Sequence, residues 1–310
     1  MSEVTISPDS QEQVDPRTKS IEFFFVSHDD NDKDLLTPWK QGLENMLQRT
    51  TGKVVAFIEA PDMTPDMSRV VTGAVEKGVL PSTALLTAAG APEQEAASLF
   101  ANAPEGFTKE QFSTLDKLAV QFPERLLVVP EAHDQDLGER VIELRNTVTH
   151  NRNLLLIAKK RQKAQLTDQY VEGAQAFGVV QRERDEGNIT TIKNLMVRKD
   201  VTGCVGVMGA NHTRIGHVLH RDGYSFKRTL TDHNPVSGHY LYSPADTLKR
   251  HFMFHPDVPA SDRIKQAVSE TSASSTMTQE EIRDSHQKIR SKSRPKSISR
   301  WLRQHAPFRK

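Results

Sequence analysis

The side chains best suited to chemistry in this sequence are His28, Glu59, Glu131 with His133, and His212, each standing just beyond a short apolar run. Imidazole nitrogen and carboxylate oxygen are ligands for zinc, manganese or iron, and they also serve as general acids and bases. Brought together, His28, Glu59 and His212 would hold a divalent metal ion or a directly activated water. In the first case the ion lowers the pKa of its water and a carboxylate takes the proton. In the second a histidine takes it, its own pKa lying near neutrality. Arg184, in the charged run Arg182-Glu183-Arg184-Asp185, would hold a carboxylate or steady an oxyanion.

Each residue also has a plainer reading. His28 would cap a loop, Glu59 would sit at a helix start, His133 would be a solvated surface residue, and Arg182 to Asp185 would form a solvated helix face. His217 and His220 read as surface positions of the helix after His212.

The chemistry therefore depends on the elements that would position these residues. Glu22 to Val26, Lys53 to Ile58, Arg125 to Val129 and Cys204 to Met208 read as strands, the last as an apolar run buried on both faces. Helical patterns separate them, so the expected fold is α/β, a mostly parallel central sheet flanked by helices. In such sheets sites lie at the carboxyl ends of the strands. Gly209 would turn the chain into a helix over Thr213 to His220, with Ile215, Val218 and Leu219 on one face, before a last strand from Tyr224 to Leu230.

Thr37, as a cap before Pro38, opens a helix carrying Leu43, Met46 and Leu47. Residues 64–122 form a helical insertion with helices near Val70 to Val79, Glu93 to Ala101 and Lys109 to Val120, the last with Thr108 and Gln111 as a capping box. Further helices are expected from about Leu137 to Val148, Leu154 to Ala176, Gln181 to Val197 and Asp246 to Phe252.

The domain reading is a disordered segment over 1–19, an α/β domain over 20–265 and a basic low-complexity tail over 266–310. With 26% charged residues and no apolar run of roughly 18 residues, a membrane span is not expected. Cys204 is the single cysteine, so a disulfide framework and a cysteine metal site are excluded, and a cytoplasmic location is expected. The Asp30, Asp32, Asp34 run lacks the glycine and glutamate of a calcium loop, having Leu35 and Gln41 there. Phosphate-binding and serine-hydrolase motifs are absent.

No carboxylate follows Asp284, and Lys288 to Lys310 is basic throughout. Ile298, Trp301 and Leu302 fall at helical spacing within it. That tail suits an anionic membrane surface or an acidic protein, giving peripheral membrane association, and suits nucleic acid less well.

The motifs together resemble the superfamily of Tiki/TraB, ChaN and erythromycin-esterase-like proteins. The resemblance rests on Glu183-Arg184-Asp185 with Asn188-Ile189, on the apolar strand into Gly209-Ala210-Asn211-His212, and on strands ending at His28 and Glu59. It spans about Ile21 to Leu230. Phe25 stands where the Tiki-type first motif has glycine, which puts metal-dependent proteolysis in doubt and leaves the wider superfamily. The resemblance implies a hydrolase of a small-molecule or peptide substrate, with Glu59, Arg184 and His212 as catalytic residues. His28, Glu59 and His212 would be the metal ligands if a divalent ion is used. It equally implies a non-catalytic module binding haem or metal, as in ChaN-like proteins.

Overall fold

The computed structural model describes residues 15–26, 36–60, 63–158, 160–209, 212–230 and 244–271. Five strands form one sheet in the order β3-β2-β4-β1-β5. They are β1 (Ser20–Val26), β2 (Lys53–Ile58), β3 (Leu126–Pro130), β4 (Val201–Gly209) and β5 (Phe226–Leu230), and every pairing is parallel. The expected α/β fold is thus observed, with its sheet parallel throughout.

Parallel strands covered on both faces read as continuous apolar runs, as β2, β3 and β4 do. Their period of two divides the core. Val54, Ala56, Ile58, Leu126, Val128, Val205 and Val207 face one layer of helices. Val55, Phe57, Leu127, Val129, Cys204 and Met208 face the other. Gly206 on β4 is required by that second layer: a Cβ there would lie 2.4 Å from the ring of Phe23.

The first layer comprises α1 (Thr37–Arg49) and the four helices between β2 and β3. These are α2 (Pro65–Glu76), α3 (Pro81–Ala88), α4 (Glu93–Ala101) and α5 (Phe107–Gln121). The insertion is therefore helical, but its local signals differ from expectation. Thr37 is the first helical residue of α1 and not its cap, which is the buried Leu36. Apolar anchoring fixes that helix start in place of a side-chain hydrogen bond.

Thr64 is the cap of α2, accepting from Met67 N, so this helix opens before Val70. The short α3 was not expected. On α5 the cap is Gly106, with no side-chain cap bond, and Gln111 is buried instead of closing a capping box with Thr108.

The second layer is built on α7 (Lys160–Val197), together with α8 (Thr213–Arg221). Before α7 comes α6 (Gln135–Ile157), which runs through the break expected after Val148. The 38 residues of α7 also run without interruption through the break expected near Phe177 to Val180. Gly178 and the β-branched Val179-Val180 are weak helix formers. Packing overrides them, because Phe177 and Val180 are buried against Leu248 and Phe252 of α9 (Pro244–Phe254). A further helix, α10 (Asp262–Thr271), buries Val268 in the same cluster, so helical structure crosses the expected boundary at 265.

Among the described residues no helix is long and apolar enough to cross a membrane. The segment holding His28, the dipeptide Ala210-Asn211, the first fourteen residues and the basic tail from Lys288 lie outside the described residues.

Candidate functional site

The register of the sheet assembles the site. Ile58 pairs with Pro130 across β2 and β3, so the next residues, Glu59 and Glu131, are lateral neighbours. Ile58 belongs to the first core layer, and the alternation therefore turns Glu59 and Glu131 toward α7 and α8. Glu131 N donates to Ile58 O at 2.7 Å and Glu59 N to Val207 O at 3.2 Å, which extends the ladder just far enough to fix both. Two adjacent carboxylates at a buried strand mouth demand positive charge.

Arg184 supplies it from α7. Its Nε donates to Glu131 Oε1 at 2.6 Å, and its Nη2 donates both to Glu131 Oε2 and to Glu59 Oε1, the latter at 3.2 Å. Asn188, one turn further along α7, donates to Glu131 Oε1 at 2.7 Å. Glu131 thus accepts three hydrogen bonds and is 1% exposed. Burial is the largest influence on its pKa and pushes it up. The positive charges of Arg184 and His212 outweigh that, with Glu59 opposing, and hold Glu131 below the usual glutamate value. The guanidinium is in turn made harder to deprotonate: burial opposes its charge, but Glu131 and Glu59 more than compensate.

His212 occupies the N-cap position of α8, three residues after Gly209 at the end of β4, and is 1% exposed. Its Nδ1 lies 2.7 Å from Asp185 Oδ1, and its Nε2 lies 3.4 Å from Glu59 Oε1. Gln181 reaches the same group, with Nε2 at 3.2 Å from Asp185 Oδ1 and 3.1 Å from His212 Nδ1. Among the described residues Asp185 Oδ2 is buried without a hydrogen-bond partner, and Asp185 holds the ring through Oδ1.

Burial, the largest influence, and Arg184 both depress the His212 pKa. Asp185 and Glu59 together outweigh them and raise it to about 10. The imidazole is therefore charged at neutral pH and donates from both nitrogens. Glu59 completes the chain of contacts, its Oε2 accepting from Gly209 N at 2.5 Å. At 11% side-chain exposure it is the more open of the two carboxylates bound to Arg184.

The structure thus brings Glu59, Arg184 and His212 together, with Glu131. Asp185, Gln181 and Asn188 join them without having been singled out for a role. Their signal is a phase. Positions 174, 177, 181, 184, 185, 188, 192 and 196 share one helical face, apolar at both ends and polar in the middle. A polar island inside a buried stripe has to be satisfied by other elements. His133 is buried, not solvated, its backbone N donating to Met63 O. Nor are Arg184 and Asp185 part of a solvated face, although Glu183 and Glu186 are exposed.

One ligand atom each from Glu59, Glu131 and His212 lies within 4.8 Å of the others, which is the donor set of a divalent ion. The arrangement does not fit one. Arg184 Nη2 already bonds an oxygen of each glutamate and brings its positive charge to the place an ion would take. Comparison of the chain with protein-family models, with curated proteins and with solved structures finds no match.

Proposed function

We propose that this chain is a hydrolase of a small-molecule or peptide substrate, of the erythromycin-esterase-like class, working with its own side chains and no metal ion. The observation that carries the reading is His212, clasped by Asp185 at Nδ1 and facing Glu59 through Nε2 at the mouth of the sheet. A charged imidazole beside a carboxylate is an acid and a base in one place.

In this reading Glu59 Oε1 takes the proton of the attacking water. Its oxygen is anchored from behind, because Gly209 N holds Oε2 at 2.5 Å, while the contacts of Oε1 with Arg184 and His212 are longer. His212 Nε2–H donates to the carbonyl oxygen as charge develops there, and then to the leaving group. Asp185 keeps the ring oriented and its charge matched. Arg184 and Glu131 act behind Glu59, the bidentate pair fixing the guanidinium that donates to Glu59 Oε1.

The same reading reverses the roles expected of a metal-free site, in which histidine is the base. The charge state supports histidine as the acid and glutamate as the base.

The test is turnover on a panel of esters, lactones and peptides by protein stripped with chelator. Activity is expected to survive chelation, and Glu59→Gln and His212→Ala are each expected to lower kcat by about 10²-fold or more, the ordinary share of a positioned acid or base. Undiminished activity of both variants, or no turnover across the panel with tight haem binding by the wild type, would remove this reading in favour of a binding module.

A further inference from the structure

Arg184 reaches the sheet mouth from the middle of α7 and places a single nitrogen between two carboxylates of different strands. Its Nη2 bonds Glu59 Oε1 at 3.2 Å and also Glu131 Oε2. These are two of the three side chains whose ligand atoms fall within 4.8 Å of one another, the third being His212. Ligands of a zinc ion stand about 2 Å from it, and therefore roughly 3 to 4 Å apart. The three donors are thus a small contraction away from a coordination set, and the guanidinium nitrogen lies on the ground an ion would need.

The surrounding bonds make this arrangement permanent. Arg184 is fixed to Glu131 through both Nε and Nη2, and Asn188 fills the remaining capacity of Glu131 Oε1. Glu59 is held from its other side by Gly209 N, and His212 is held by Asp185. Every donor is oriented by a partner that would remain if the guanidinium were removed. Preserved orientation of this kind is what a metal site needs from its surroundings.

We infer that Arg184 is a built-in cation standing in the place of a divalent metal ion, and that neutralising it turns Glu59, Glu131 and His212 into a metal site. The inference rests on the protein-only reading of the site. It assigns to one residue the choice between side-chain and metal chemistry on this sheet edge. A divalent ion entering beside the retained guanidinium would meet like charge at about 4 Å, which even at the dielectric of water weakens binding by about thirtyfold. Arg184→Lys keeps the charge and is expected to keep the exclusion.

The experiment is calorimetric titration of zinc into wild type, Arg184→Gln and Arg184→Lys, each full length, with thermal melts in parallel. Arg184→Gln keeps a donor for Glu131 while removing the charge. It is expected to bind one zinc ion per chain about thirtyfold or more tightly than wild type, to melt lower than wild type without zinc, and to recover with it. Adding Glu131→Gln to that variant is expected to abolish the binding.

Stoichiometric zinc binding by wild type at the affinity of Arg184→Gln would overturn the inference, as would no binding by Arg184→Gln. If that variant is insoluble alone, refolding in excess zinc is expected to recover it, and failure to recover counts against the inference. Turnover is a separate readout: inactive but zinc-free wild type removes the hydrolase reading and leaves the role of Arg184 standing.

Discussion

At the scale of the residue, His212 decides what the site can do, and two carboxylates decide what His212 is. Asp185 at 2.7 Å and Glu59 at 3.4 Å outweigh burial and the nearby Arg184, and the ring is protonated up to about pH 10. Asp185→Asn preserves shape and removes the closer charge, so the imidazole loses a main support for its proton and its pKa falls toward or below the ordinary value of 6.5. For an acid that must be protonated, activity is present below its pKa and is lost as pH rises through it. Wild-type kcat should therefore fall only as pH approaches about 10, and the alkaline limb of Asp185→Asn should move to lower pH by a unit or more. A pH–rate profile of the two proteins measures this directly. An alkaline limb unmoved by the substitution would mean that Asp185 does not govern the acid.

At the scale of the element, α7 joins two bodies that the chain builds separately. Its first half packs with α6, α9 and α10 through Tyr170, Ala174, Phe177 and Val180, and its last turns pack on the sheet through Ile189, Ile192 and Met196. The site residues Gln181, Arg184, Asp185 and Asn188 fall between. At about 1.5 Å per residue they span only two turns. Holding the phase of that short stretch requires both ends to be anchored. Gly178 is the tightest of the anchors, since a Cβ there would lie 2.7 Å from the backbone carbon of Phe252.

In an exposed helix Gly→Ala is stabilising by up to about 1 kcal/mol. Here Gly178→Ala should instead destabilise, by about 1–3 kcal/mol as an overpacked contact does, and should lower kcat by displacing Arg184 and Asp185. Chemical denaturation with a parallel rate measurement checks both. A stabilised variant with full activity would show that α9 does not set the phase of α7.

The strands that lead to Glu59 and Glu131 could be read directly from KVVAFI and RLLVV, because a buried parallel strand is a continuous apolar run with a polar stop. The partnership of Arg184 and Asp185 with them could not. An Arg-Glu-Arg-Asp run looks like a solvated face until the apolar residues a turn or two away on either side set its phase. The break expected near Phe177 to Val180 hid that phase by ending one helix before the stripe was complete. Helix starts were misread for a related reason: Leu36 and Gly106 open α1 and α5 through packing and turn geometry, which leave no polar signature.

At the scale of the whole molecule, charge is concentrated at both edges of the sheet in two different solvents. At the amino ends of the strands Lys53, Glu76, Arg198 and Asp200 form a partly exposed network. Salt should screen it, and its net contribution to stability is small. At the carboxyl ends Glu131, Arg184, Asp185 and His212 are buried, and the titration of Glu131 and His212 is tied to folding.

The signs follow from the shifts. Glu131 has a folded pKa depressed below 4.5, so its contribution is present above that value and is lost as pH falls through the lower folded one. His212 has a folded pKa raised from 6.5 to about 10, so its contribution is complete below 6.5 and is lost as pH rises through about 10. Stability from this cluster should form a plateau between those limits.

The informative quantity is the difference in melting temperature between wild type and His212→Gln across pH. That difference should be largest at and below about pH 6.5, shrink as pH rises toward about 10, and persist in about 0.5 M salt because the cluster is shielded from ions. A difference that salt abolishes, or one that does not vary between pH 7 and pH 10, would show that the buried cluster does not carry the pH dependence of the fold.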